Sequence, residues 1–123
     1  MKFELIKKIE GLEMYDDIPC LPIDNLTDEG ERFIGEETDS WILLDYFVPI
    51  LDMKCENELD YGDVDYFDKE KCKIIKSLLE KQMKKELDKR LQVLYEKLYD
   101  YVVQAIELGT GVVIGLWKAH IRY

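Results

Sequence analysis

The sequence predicts an α+β fold in which helices pack on a small antiparallel sheet. Three observations lead to this prediction: an alternating apolar segment at the N-terminus, a second strand pattern near the C-terminus, and a long region of helical periodicity between them. Of the 123 residues, 47% are hydrophobic and 11% aromatic, which is enough to build a core although 36% are charged. We expect residues 1–123 to form a single domain.

The first ten residues alternate weakly between apolar and polar side chains. On a strand, Phe3 and Leu5 face one way, while Lys2 and Glu4 face the opposite, polar way. A helix is the alternative, because the apolar spacing also fits 3.6 residues per turn. After Gly11, the segment GLEMY predicts a short second strand.

The segment 16–39 is acidic and contains two prolines and two glycines, so it is predicted to be an irregular, mostly exposed connection. A connection of this length is unusual in a compact domain, which makes it a candidate functional segment. The apolar run SWILLDYFVPILD that follows predicts a short buried helix ending near Phe47 or Asp52, with a buried strand as the alternative. Pro49 limits any helix through the middle of the run, and the Thr-Asp-Ser sequence at 38–40 offers N-cap oxygens.

Helical spacing is clearest from 69 to 108, where apolar residues recur at intervals of three and four without Gly or Pro. Asp68 is the predicted N-cap. Because globular helices rarely reach about forty residues, we predict an antiparallel helix pair with a break near 84–89. One long helix and a coiled-coil dimer are the alternatives. Gly109 and Gly111 are predicted to end the second helix, and VVIGLWKAHIRY to form a strand that pairs with the N-terminal one.

The net charge of −10 is distributed unevenly along the chain. Residues 1–68 hold 20 acidic and five basic side chains, whereas residues 69–123 hold seven acidic and 12 basic ones. A negative field repels phosphates and anionic membranes and favours basic partners, so we expect neither a nucleic-acid nor a membrane partner. An equally good interpretation is that the charge only keeps the protein in solution.

The sequence offers few groups for catalysis or metal binding. The three cysteines are widely spaced without a C-x-x-C motif, and we interpret them as reduced, mostly buried thiols of a cytoplasmic protein. The single histidine, His120, has no predicted nucleophile beside it. The Gly-Thr-Gly sequence at 109–111 follows a helix, whereas a phosphate loop precedes one. We therefore expect no enzyme activity, no cofactor and no metal site.

The segment CENELDYGDVDYFDKEK, residues 55–71, holds seven carboxylates and two tyrosines. It does not fit an EF-hand, because aligning Gly62 with the loop glycine puts Leu59 and Tyr61 at ligand positions. Carboxylates would speed association with a basic partner, and interleaved aromatic rings would anchor it. A solvated loop with two half-buried tyrosines is the alternative, although the sequence suggests no local structural role for the middle of the segment. The predicted partner-binding residues are Glu56, Glu58, Asp60, Tyr61, Asp63, Asp65 and Tyr66.

Within residues 78–117, the string LDKRLQVLYEKLYDYVVQAIELGTGVVIGLW resembles the C-terminal part of small acidic bacterial immunity-type proteins of polymorphic and contact-dependent toxin systems. The shared features are a late helix with spaced leucines, an alanine near its end, a Gly-Thr-Gly turn and an apolar strand. The resemblance implies a non-catalytic protein that neutralises a basic toxin, many of which are nucleases, by binding it. A carboxylate-rich metal-binding protein or small enzyme, and a helical scaffold or oligomerisation subunit, are the alternatives.

Overall fold

The structure, a computed structural model, describes residues 1–15, 18–20 and 31–116. Within this range the elements are β1 (Lys2–Ile6), β2 (Glu13–Tyr15), β3 (Ile18–Cys20), β4 (Arg32–Ile34), α1 (Glu37–Tyr46), α2 (Val48–Cys55), β5 (Val64–Phe67), α3 (Lys69–Gln82), α4 (Lys89–Leu108) and β6 (Gly111–Gly115). Four of the strands form one antiparallel sheet in the order β4-β1-β6-β5, and β2 pairs with β3.

The predicted α+β architecture is confirmed. The N-terminal strand β1 lies beside the late strand β6, with Lys2 opposite Gly115 and Ile6 opposite Gly111. The segment GLEMY also contains the predicted second strand. The alternation predicted beyond Trp117, including His120, lies outside the described residues.

The four-stranded sheet has two different faces. Phe3, Leu5 and Ile114 belong to the main core, which they share with buried residues of the helices. Because side chains alternate along a strand, Glu4 and its cross-strand neighbour Arg32 lie on the other face. Glu4 lies on the predicted polar face of the strand, but it is only 2% exposed, because this second face is also covered.

The segment from 16 to 39 is more regular than predicted. It contains β3, β4 and the start of α1, while residues 16–17 and 21–30 lie outside the described part of the chain. Helix α1 begins at Glu37, before the predicted caps, because Glu36 and Asp39 form a reciprocal capping box.

The apolar run after this start forms two helices where we had predicted one. They meet at Phe47, which ends α1 and precedes α2. Pro49 lies in the first turn of α2, where a missing N–H breaks no helical hydrogen bond. The two-helix arrangement therefore follows from a proline that is favourable in the first turn of the second helix.

The predicted break between the two later helices is confirmed, since α3 ends at Gln82 and α4 starts at Lys89. The Asp68 carboxylate accepts a hydrogen bond from the Lys71 N–H at 3.0 Å and so caps α3 as predicted. Gly109 ends α4 with a φ of 73°. The spaced residues Leu91, Leu94, Leu98, Tyr101 and Ala105 are buried in the core, so the heptad-like spacing serves packing within the chain.

The cysteines differ from the prediction at one position. Cys55 and Cys72 are buried, but Cys20 is exposed on β3. Burial raises the pKa of the Cys72 thiol to about 12, which leaves it protonated and unreactive at neutral pH.

Candidate protein-binding surface

The acidic segment begins where α2 ends. Glu56 takes a left-handed conformation with φ of 55° and terminates the helix. The Asp52 carboxylate, in the last turn of α2, then accepts a hydrogen bond from the Leu59 N–H at 3.1 Å. Leu59 is buried and fixes the segment to the core. The segment is thus held against the fold at both its polar and its apolar positions.

A tight turn at 60–63 follows. The Asp63 N–H donates to the Asp60 carbonyl at 3.0 Å, and the Asp63 carboxylate accepts from the Asp60 N–H at 2.9 Å. Gly62 supplies the positive φ of 96° that this turn requires. The Leu116 N–H donates to the Asp63 carbonyl at 2.9 Å, which attaches the turn to the end of β6. The middle of the acidic segment therefore has the local structural role that the sequence did not suggest.

Tyr61 projects from this turn onto α1. Its ring stacks on the Trp41 indole with centroids 4.5 Å apart and planes inclined by 8°. The Tyr61 hydroxyl donates to the Glu37 carboxylate at 2.6 Å, and this hydrogen bond raises the pKa of Tyr61. Trp41 remains 47% exposed. Trp41 and Tyr61, called the aromatic stack below, form a stacked ring pair that solvent still reaches.

Asp60 and Asp63 of the same turn line an open depression of about 390 Å³, called the acidic hollow below. Burial raises the pKa of Asp52, one of the lining residues, and the nearby charges of Glu58 and Asp60 act in the same direction. A neighbouring negative charge disfavours the ionised form of a carboxyl group. The hollow is lined by Asp52, Glu58, Leu59, Asp60 and Asp63.

Two predicted contact residues instead belong to the sheet. The Asp65 carboxylate accepts from the Asn57 side-chain amide and from the Tyr66 N–H, and Lys71 donates to Asn57 at 2.9 Å. Tyr66 packs its ring against Gly111 of β6. Both side chains are half-buried, and their contacts hold β5 in place.

The structure thus divides the seven predicted contact residues. Glu56, Glu58, Asp60 and Asp63 are exposed, and three of these four line the hollow. Tyr61 belongs to the same turn as Asp60 and Asp63, whereas Asp65 and Tyr66 make contacts that hold β5 in place. Whether any of the seven binds a partner stays a prediction.

Sequence reasoning missed the contributions of α1 and α2 to this surface. Trp41 lay in a run predicted to be a buried helix, and Glu37 in a predicted loop. Asp52 was considered only as a possible end of that helix. A Trp between Ser40 and Ile42 gives no local sign that it will stack on a tyrosine of a distant turn, so only the tertiary structure brings these residues together.

Another prominent carboxylate, Asp39, is structural. It is 1% exposed and binds Arg90 of α4 through two hydrogen bonds, at 2.8 Å from Nε and 2.6 Å from Nη2. The hydrogen bonds from Arg90 hold the pKa of Asp39 below its usual value. This pair joins α1 to α4 and so fixes the orientation of the helix that carries Trp41.

Among the described residues, no three His, Cys, Asp or Glu side chains are grouped so that they could hold a metal ion. In the same part of the chain, no helix combines the length and apolar character needed to cross a membrane. No protein-family model matches the chain, and neither a curated protein nor a solved structure matches it.

Proposed function

We propose that this chain is a non-catalytic binding protein that captures a basic protein partner on the surface formed by the aromatic stack and the acidic hollow. The observation that carries the proposal is a half-exposed Trp41 stacked on Tyr61, whose neighbours in the turn, Asp60 and Asp63, line the acidic hollow. Tryptophan is enriched among the residues that dominate binding energy at interfaces. The Tyr61–Glu37 hydrogen bond fixes the tyrosine of the stack in advance, which reduces the entropy lost on binding.

The electrostatics of the hollow favour a cationic side chain as its occupant. Asp52 has a raised pKa because its charge is partly buried close to other carboxylates. A lysine or arginine side chain entering the hollow would relieve this repulsion. Crowded like charges of this kind weaken the free protein and strengthen a complex with a basic partner.

The partner class we propose is a basic toxin domain, which the chain would neutralise in the cytoplasm by covering its active surface. Two features support this: the acidic N-terminal half of the sequence, and the resemblance of residues 78–117 to immunity-type proteins. A stoichiometric inhibitor needs a preformed surface, and the stack and hollow would supply one.

The test is binding to the purified product of the adjacent gene, measured by calorimetry together with inhibition of that product's toxic activity. We expect Trp41→Ala to weaken binding at least about tenfold, as for an interface anchor. The double variant Glu58→Gln/Asp60→Asn should weaken binding at low salt and lose most of its salt dependence. Glu70→Gln, at an exposed carboxylate of α3, is the matched control and should bind normally.

Two results would overturn the proposal. If Trp41→Ala and the double variant both bind as the wild type does, the stack and hollow are not the contact surface. If a complex forms through this surface but the toxin stays active, the neutralising role is wrong and only the binding role stands.

A further inference from the structure

Another depression, of about 300 Å³, lies at the corner where the chain passes from α3 to α4, beside the end of α1. Its volume is at the lower end of the range of small-molecule sites. None of its lining residues belongs to the aromatic stack or to the acidic hollow. This depression is called the corner pocket below, and the lining residues that define it are Tyr46, Leu87, Leu91 and Tyr95.

Tyr95 is the unusual group in the corner pocket. It is 1% exposed, and its ring packs edge-on against Phe47 with centroids 5.5 Å apart. Its hydroxyl forms no hydrogen bond within the described part of the chain. A buried tyrosine hydroxyl usually has a hydrogen-bond partner, so an unpartnered one that lines a pocket indicates a partner from outside the chain.

The Tyr95 hydroxyl opens into the corner pocket. Within the described residues, the side-chain groups that are sealed from solvent without a partner are the Nε and Nη1 atoms of Arg32 and the Thr110 hydroxyl. The Tyr95 hydroxyl is not among them, so the small part of Tyr95 that solvent reaches includes its oxygen. Burial raises the pKa of Tyr95 to about 12. At neutral pH the hydroxyl is therefore un-ionised, and it can both donate and accept a hydrogen bond.

The charged groups of the corner pocket lie at its rim. Lys85, Glu86 and Asp88 line the pocket but are exposed, and the Asp88 carboxylate accepts a hydrogen bond from the Arg90 N–H at 2.9 Å. Water screens exposed charges, so these groups contribute little to binding. A charged ligand group beside Tyr95 would lose its hydration without a buried counter-charge, which is costly. The pocket therefore favours an uncharged polar group beside Tyr95.

The other lining residues favour an aromatic body. Leu91 is buried and Leu87 is half-buried, while Tyr46 of α1 is 61% exposed and offers its ring to an incoming group. Aromatic rings stabilise one another in offset-stacked and edge-on arrangements. A mostly apolar wall with few polar groups is also typical of small-molecule sites.

We propose that the corner pocket binds a small uncharged aromatic alcohol, whose hydroxyl forms a hydrogen bond with Tyr95 and whose ring contacts Tyr46, Leu87 and Leu91. A hydroxyl matches Tyr95 because each of the two groups can act as donor and as acceptor. The site is independent of the proposed partner surface, with which it shares no residue.

The test follows the Tyr95 Cζ signal by NMR, in protein labelled with ¹³C at that carbon of tyrosine, while benzyl alcohol is added at pH 7. The chain has eight tyrosines, and the signal lost in Tyr95→Phe is that of Tyr95. Benzylamine and benzoate place a positive or a negative charge on nearly the same shape, and toluene lacks the polar group. We expect a saturable shift with benzyl alcohol, and binding of the other three compounds that is weaker by about fivefold or more, the factor expected for one hydrogen bond.

Three variants connect this binding to the corner pocket, with the Leu91 methyl signals reporting binding in each. Tyr95→Phe keeps the ring contact with Phe47 and should weaken benzyl alcohol binding about fivefold without lowering the free energy of unfolding. Leu87→Trp fills the pocket from a half-buried position and should block binding. Tyr99→Phe is the matched control, because it removes a hydroxyl of the same helix that bonds to Glu80 outside the pocket, and it should bind as the wild type does.

Three outcomes would overturn the proposal. The first is no saturable shift of the Tyr95 signal up to about 10 mM benzyl alcohol, a concentration that detects even weak binding. The second is binding of benzylamine, benzoate or toluene as tight as that of benzyl alcohol, which would mean a site for another class of ligand. The third is unchanged affinity in either Tyr95→Phe or Leu87→Trp.

Discussion

Asp39 illustrates how one carboxylate can connect two helices. Its two oxygens accept from Arg90, and one also accepts from the Glu36 N–H at 2.8 Å. Asp39→Asn keeps the shape but loses the charge and one acceptor, so we expect the free energy of unfolding to fall by about 2 kcal/mol. Arg90 is partly exposed, which keeps the loss below that of a fully buried pair. Urea denaturation of the wild type and the variant measures this difference in the free energy of unfolding.

The control for that measurement is Glu70→Gln, which breaks an exposed pair with Lys73. Exposed pairs contribute about 0–1 kcal/mol, so little change is expected there. Equal losses in the two variants would mean that the Asp39–Arg90 bridge does not stabilise the fold beyond a surface pair.

The pH dependence of stability should also contain a contribution from Asp39. Its pKa is lowered in the folded state, chiefly by the Arg90 hydrogen bonds. The stabilisation is complete above the unfolded pKa of about 3.9 and is lost as pH falls below it through the lower folded value. We expect the free energy of unfolding of Asp39→Asn, measured between pH 2 and 6, to change less with pH than that of the wild type. If the two proteins show the same pH dependence, Asp39 does not contribute this term.

Asp52 should show the opposite linkage. Burial raises its pKa, so the folded protein binds its proton more readily, and stability falls as pH rises from about 3.9 through the folded value. Asp52→Asn retains an oxygen that can accept from the Leu59 N–H and removes the buried charge. We expect this variant to be more stable than the wild type at pH 7 and equally stable at pH 3. Lower stability at pH 7 would show that the hollow is not electrostatically strained.

At the scale of elements, Gly111 allows β5 to lie close to β6, because it has no side chain. A Cβ at this position would overlap the Phe67 carbonyl oxygen and lie 2.6 Å from the Tyr66 ring. Gly111→Ala should therefore lower the unfolding free energy by about 2 kcal/mol or more, because neither strand can shift freely. Gly11→Ala is the comparison without a clash: a Cβ there meets nothing within 4 Å, and the loss of about 1 kcal/mol comes only from a positive φ that Gly111 does not have. Similar losses would contradict the packing argument.

Elements whose signals are local were predictable from the sequence. Asp68, Gly109 and the spaced leucines of α4 define helix ends and a buried face without reference to the rest of the chain. The two-helix form of SWILLDYFVPILD was missed, although Pro49 could have indicated it as a residue that starts a helix. The short strand β4 was missed because three residues carry too little periodicity.

The candidate sites were harder to predict, because they depend on contacts between distant segments. Tyr61 was identified, but its stacking partner Trp41 lies on a helix that the apolar pattern made look buried. The Glu4–Arg32 pair joins a residue of the predicted polar strand face with one in a predicted loop. Pattern reasoning reports which residues are polar, but it does not report which polar residues will share a buried face.

At the scale of the whole molecule, the net charge of −10 should act on association with a basic partner more than on the fold. Lys81 and Lys84 are exposed on and just after α3, and neither lines the acidic hollow. Changing both to Glu alters the charge by −4, from −10 to −14. Because the field steers encounter while short-range contacts set dissociation, we expect a faster association rate at low salt and an unchanged dissociation rate with the basic partner.

Salt distinguishes this steering from a new contact. Charges at the exposed surface are screened over about 8 Å at physiological ionic strength, so the association rates of the wild type and the Lys81→Glu/Lys84→Glu variant should converge as salt is raised. Stopped-flow mixing at several salt concentrations measures both rates. A faster association of the variant that persists at high salt, or a changed dissociation rate, would mean that the end of α3 lies within the interface. The contact surface would then extend beyond the stack and hollow.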